Sequence, residues 1–158
     1  MNRKLILRLL GAIWSIEAIA MIPSVVIAWH DHSSDLPVLG ICMLALLIPG
    51  LLFWFLVRPA RSAHLRLREG FLVVGLGWIG LSIGGALPFF FSEYYSTFWD
   101  ALFESVSGFT TTGATVLTQF DGFPRGLMFW RATTHWIGGM GVLVLTLALL
   151  PKLTGRTS

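Results

Sequence analysis

Residues 97–118, TFWDALFESVSGFTTTGATVLT, are too polar and too short to cross a bilayer, yet they lie between two apolar runs long enough to do so. Residues 97–108 read as a short helix, with Thr97 at the N-cap and Asp100 three positions on, the spacing of a capping box. Such a helix is about 18 Å long, roughly half a bilayer. Residues 109–115 then concentrate threonine and glycine, which are poor helix formers. Non-helical backbone at membrane depth persists only where protein buries it or where it lines a watery cavity. The stretch is therefore expected to be re-entrant, a half-helix and loop that return to the side they came from. The helix C-terminus carries partial negative charge and favours a cation. Loop carbonyls can then replace a cation's water shell, as in ion filters. Gly113 has no Cβ to stop it aiming carbonyls inward.

Two other readings are weaker. Gly108 and Gly113 have the spacing of a phosphate-binding loop, but Ala114 stands where the lysine belongs and the flanks are membrane spans. An ordinary polar loop outside the membrane is the second. The chain as a whole is 55% hydrophobic and only 12% charged, with mean hydropathy +0.77, which points to a membrane rather than a soluble core. The formal charge of +3 gathers at the ends of apolar runs, so no nucleic-acid partner is expected. Cys42 is the single cysteine, which rules out an intrachain disulfide and suits a small core residue. Residues 2–8 are basic and an apolar run follows to about residue 28; it is too long for a signal peptide and is read as a retained helix.

In chain order, residues 5–29 form the first expected span, with Glu17 near its middle and Pro23 towards its end. A carboxylate inside a membrane is a functional candidate by default. With no basic partner near it in sequence, a hydrogen-bonded Glu17 facing a neighbouring helix is the favoured reading. HDHSSD at 30–35 reads as a solvated turn rather than a metal site. Residues 36–57 are the second span, bent at Pro49-Gly50. Residues 58–69, RPARSAHLRLRE, carry four arginines and are expected in the cytoplasm. Residues 70–91 form the third span, in which Gly80 and Gly84 allow close helix approach. Pro88 and the Phe89, Phe90, Phe91 cluster mark its outer end, with Glu93, Tyr94 and Tyr95 at headgroup level. Asp121-Gly122 and Pro124 make the exit turn from the half-helix and loop. Residues 127–150 form the last span, closed by Pro151, and 152–158 a cytoplasmic tail. Both termini then face the cytoplasm, and the half-helix enters from outside. Nine of the eleven Lys and Arg fall on the cytoplasmic side, the others being Arg125 and Arg131.

Arg131 and His135 share one face of the last span. Embedded charges need partners, so a Glu104–Arg131 contact is expected between the half-helix and that span. Gly138, Gly139 and Gly141 would let the half-helix or the third span pack closely there.

DALFESVSGFTTTGATVL at 100–117, followed by FWRATTHWIGGMGVLVL at 129–145, closely resembles the first pore repeat of Trk-type potassium uptake proteins (TrkH/TrkG-like), within the Trk/Ktr/HKT superfamily. The likeness covers the whole chain, since such proteins carry two spans ahead of the first repeat. It implies a helix–half-helix–helix repeat of potassium-channel type, four of which surround one pore. By position, Gly113 is the filter glycine; Thr111 and Thr112 supply carbonyls to K⁺, with Thr110 and Gly113 adjoining. Glycine rather than serine at that place implies potassium over sodium. The resemblance also implies a TrkA-like nucleotide-binding subunit on the cytoplasmic face and residence in the cell inner membrane. One repeat cannot enclose an ion, so the chain is expected to be one portion of a larger transporter, or to assemble with further repeats or other copies of itself.

The expected fold is thus an all-α integral membrane protein. Two N-terminal transmembrane helices (1–57) and the basic loop (58–69) precede one pore repeat (70–151). The expected function is K⁺ translocation against filter carbonyls, with no catalytic residue and no organic cofactor. The rival is a non-transporting membrane scaffold or assembly subunit. An intramembrane enzyme using Glu17, Glu104 or His135 ranks third.

Overall fold

Apolar runs that must satisfy their own backbone in lipid become helices, and every regular element among the described residues is one. The computed structural model describes residues 3–58 and 67–153. Six helices follow in order: α1 (Arg3–Ala20), α2 (Ile22–His30), α3 (Leu36–Leu56), α4 (Leu67–Phe91), α5 (Phe98–Phe109) and α6 (Arg125–Leu153). Three stretches, Arg3–His30, Leu36–Leu56 and Arg68–Phe91, are long and apolar enough to cross a membrane. At 29 residues α6 also has the length of a span, about 43 Å.

The boundaries differ from the sequence reading in three places. The first span divides at Met21 into α1 and α2, because Pro23 in the first turn of α2 has no N–H to continue the α1 ladder. Helix α4 already begins at Leu67, so the end of the basic loop is helical and Glu69 is buried. Residues 59–66 of that loop, and 154–158 of the tail, lie outside the described residues. Finally, α6 runs two residues past Pro151, which does not close it.

Helix α1 packs on α3 and α4, and α5 lies between α4 and α6. Where α1 meets α3, backbones touch: a Cβ on Gly11 would stand 2.8 Å from the Gly50 carbonyl, and one on Gly50 would stand 2.9 Å from the Gly11 carbonyl. The Gly80 and Gly84 face of α4 works otherwise. It receives side chains of α1, Trp14 at Gly80 and Glu17 at Gly84, so these glycines make sockets rather than a backbone contact. At one end of the molecule Arg8 stacks over Trp54, 4.3 Å from the ring centroid. At the other, Arg125 bonds Asp31 at 3.2 Å, tying α6 to the turn after α2. That turn is solvated at His30 and Asp31 but buries Asp35, which sits at the N-cap of α3. Among the described residues no group of three or more His, Cys, Asp or Glu gathers as for a metal.

The core contains Met21, Leu39, Cys42, Phe89, Leu127 and Trp130. Large apolar side chains also cover the outside: Ile41 is 68% exposed and Phe55 64% exposed. An outer surface this apolar suits lipid or further protein, not water.

Candidate ion-filter site

The half-helix α5 begins as its spacing predicts. Asp100 N–H donates to Thr97 Oγ1 at 3.2 Å, and Thr97 N–H donates to Asp100 Oδ2 at 3.1 Å, a closed capping box. Its far end is wedged between two helices at glycines. Gly85 of α4 meets the Phe109 ring, Gly108 meets Thr134 of α6, and Gly138 meets the Phe109 backbone. Gly141 sits under Trp78, whereas Gly139 has nothing nearer than Thr111 Cγ2 at 3.8 Å from its Cβ position.

Beyond Phe109 the chain leaves the helix through a six-residue reversal. Thr112 N–H donates to the Ser107 carbonyl and Thr111 N–H to the Gly108 carbonyl, both at 2.9 Å. These are the paired bonds of a Schellman ending, which places the residue after the C-cap in the left-handed region. That residue is Thr111, with φ 57°, where glycine is usual and a β-branched side chain is strained. Gly113 follows at φ 77°. The threonine hydroxyls are used locally: Thr110 Oγ1 donates to the Val106 carbonyl at 2.7 Å and shares a bond with Thr112 Oγ1 at 2.8 Å, and Thr111 Oγ1 donates to the Thr110 carbonyl at 2.7 Å. Among the described residues nothing donates to the carbonyls of Thr111, Thr112 or Gly113, and residues 110–116 are exposed. An exposed apex with free carbonyls can coordinate a cation.

The returning segment is held to α5 in two places. Ser107 Oγ donates to the Ala114 carbonyl at 2.6 Å. Glu104, fully buried, accepts from Thr115 Oγ1 at 2.8 Å and from Val116 N–H at 3.3 Å through Oε2. Its other oxygen accepts from Arg131 Nε of α6. The carboxylate thus joins half-helix, returning segment and α6, and its buried charge has a partner. His135, one turn on from Arg131, bonds the backbone of that residue: its Nδ1–H donates to the Arg131 carbonyl at 2.9 Å.

Two contributors escaped the sequence reading, Ser107 and Thr115. Glu104, Ser107 and Gly108 lie at the i, i+3, i+4 positions of one helical stripe, a polar and small face, and that was the available signal. Tyr95, buried beside this cluster, is a third. Burial above all, and then the Glu104 carboxylate, raise its phenol above the ordinary range, while Arg131 pulls the other way.

The model of the TrkH family, described as a cation transport protein, matches residues 38–158. The chain is 49% identical over 112 residues to the Trk system potassium uptake protein TrkH of Escherichia coli K12, covering 69% of this chain and 22% of that protein. It is 36% identical over 154 residues to TrkH of Halomonas elongata, covering 97% of this chain and 32% of that one. Among solved structures it superposes on the potassium transporter TrkH from Vibrio parahaemolyticus with a TM-score of 0.87 and 34% identity, over 96% of this chain and 32% of that chain. The chain therefore spans about a fifth to a third of the length of these relatives. A half-helix and strained threonine loop inside an all-helical apolar frame, matched over this length, establish that the chain belongs to the TrkH family of cation transport proteins.

Proposed function

We propose that this chain contributes one wall of a potassium-selective filter, through which K⁺ crosses the membrane by exchanging water for backbone carbonyls. The observation that carries the reading is the apex at Thr111, Thr112 and Gly113. Its carbonyls are free, its backbone is left-handed at Thr111 and Gly113, and Glu104 and Ser107 clip its returning side to rigid helix. Thr110 adjoins this set and braces it by its hydroxyl. The relatives are named for potassium uptake, which supports K⁺ as the transported ion. Three further walls come from remaining repeats or from other copies of the chain, since one loop cannot surround an ion.

In this reading α6 is the fourth span. The helix ends bearing Arg3, Lys4, Arg8 and Arg68 face the cytoplasm of a cell inner membrane, and Asp31 and Arg125 face outward. A TrkA-like nucleotide-binding subunit would dock on the cytoplasmic side. The reading involves no covalent step, hence no enzyme.

The test is ⁸⁶Rb⁺ flux into liposomes containing the purified chain, beside its Gly113→Ser variant. Selective flux that the variant relaxes supports a filter assembled from copies of the chain. Absence of flux from the inserted chain, with flux and the Gly113→Ser effect restored when the rest of a family transporter is co-reconstituted, supports one wall of a larger pore. A Gly113→Ser change without effect in either setting favours the scaffold reading.

A further inference from the structure

Glu17 of α1 and Ser105 of α5 are both fully buried, and neither side chain finds a hydrogen-bond partner among the described residues. They meet over a single glycine of α4. A Cβ on Gly85 would stand 2.8 Å from Ser105 Oγ and 3.3 Å from Glu17 Oε1, so the two oxygens lie within about 6 Å of each other. The Phe109 ring closes one side, 2.6 Å from the same point. On the other, a Cβ on Gly84 would stand 2.8 Å from Glu17 Oε2 and 2.9 Å from Leu46 of α3.

No charged group answers the carboxyl from the surrounding elements. Helix α3 contains no Asp, Glu, Lys, Arg or His. On α4 the charges are Arg68 and Glu69, at its start. On α5 they are Asp100, held in the capping box, and Glu104, held by Arg131. On α6, Arg131 is taken by Glu104, and His135 by the Arg131 carbonyl. On α1 itself Arg8 is nine residues away, about 13 Å along the helix, and stacks over Trp54.

Buried oxygens left unpaired are costly, and polar groups converging from two elements are where buried water is found. A gap of up to about 6 Å suits one water, since each O–H···O bond spans roughly 2.8 Å. We propose that Glu17 and Ser105 together bind one buried water molecule, which tethers the first span to the back of the half-helix. Ser105 Oγ–H donates to the water, and the water donates to Glu17 Oε1. A side chain at Gly84 or Gly85 would collide with these groups, so glycine at both positions is what lets them converge, and the Gly85 carbonyl, which accepts from Trp130 Nε1 at 3.0 Å, ties the same point to α6. The tether holds α5 at the residue next to the Glu104 clip but towards α1 and α4, so its seating depends on α1 as well as α6.

Infrared spectroscopy of the purified chain tests this without any ion-transport readout, so it succeeds or fails independently of the filter reading. The wild type minus Glu17→Gln difference spectrum isolates the Glu17 carboxyl bands. With the tether in place those bands shift in Ser105→Ala, and H₂¹⁸O exchange reveals a slowly exchanging bound-water band that both variants lose. Ser105→Cys, close in size but a weak hydrogen bonder, gives the same readout should Ser105→Ala not fold. Glu17 bands that ignore the Ser105 variants overturn the proposal. So do bands that move when K⁺ replaces Na⁺ in the buffer, which would place an alkali cation there instead.

Discussion

Thr115 Oγ1 donates to Glu104 Oε2 at 2.8 Å, across eleven residues and the whole of the strained loop. The same carboxylate holds Arg131 by its other oxygen, so loop closure and helix packing depend on one side chain. Its oxygens serve an ion pair and two loop donors, and no single replacement side chain keeps all three.

Glu104→Ala should therefore be among the most destabilising single changes in the chain. It leaves the Arg131 guanidinium, 18% exposed, without its carboxylate and frees Thr115 and Val116 from α5. Breaking a buried pair from one side costs about 3–5 kcal/mol. Glu104→Gln keeps an acceptor for the loop but not the charge, and should lose less. Thermal midpoints in detergent, read by fluorescence-detected size exclusion, rank the two. Equal midpoints would show that the ion pair, not the loop bonds, dominates.

The contact of Gly138 with Phe109 is backbone against backbone. A Cβ on Gly138 would stand 2.7 Å from the Phe109 carbonyl carbon, whereas one on Gly139 reaches only a side-chain methyl at 3.8 Å. Main chain cannot swing away, so Gly138→Ala should force α5 from α6 and cost about 1–3 kcal/mol. Gly139→Ala should be neutral or slightly stabilising, since it also relieves the helix of a glycine. Two adjacent substitutions of one methyl each, compared by thermal midpoint, isolate the close approach from helix propensity.

Tyr95 gives a pH dependence with a definite sign. Its phenol is raised in the folded chain, mainly by burial and next by Glu104, against an ordinary value near 10. A group raised on folding contributes stability that is whole below its unfolded value and is lost as pH climbs towards the folded one. Wild type should thus lose stability above about pH 10 more steeply than Tyr95→Phe. Parallel curves of midpoint against pH for the two proteins would remove the phenol from the account.

What the sequence made legible follows the strength of local rules. The Thr97–Asp100 box was readable because its chemistry spans only three residues. The Glu104–Arg131 contact was readable because embedded charges need partners and these two are few. The bond from Ser107 to Ala114 was not, since a serine in a helix can equally bond its own preceding turn. Nor was the role of Gly80 and Gly84: spacing reveals a small-residue face, but not whether backbone or an indole and a carboxyl will fill it. The division at Met21 turned on where a proline's missing N–H falls relative to the helix start.

Thr111 separates stability from function. Its φ of 57° costs a β-branched residue about 1–2 kcal/mol, which Thr111→Gly would recover. Against that stand a glycine's added chain entropy, about 0.5–1 kcal/mol, and the exposed bond from Thr111 Oγ1 to the Thr110 carbonyl. These terms nearly cancel, so Thr111→Gly should change the thermal midpoint little. It should nevertheless lower the preference for Rb⁺ over Na⁺ in any assembly that conducts. The backbone would then be free to leave the conformation that presents the Thr111 and Thr112 carbonyls. Thr111→Val retains the strain and loses only the hydroxyl, and should keep more of the selectivity than Thr111→Gly. The reverse order in a flux assay would mean that hydroxyl bonding, not left-handed backbone, sets the carbonyls.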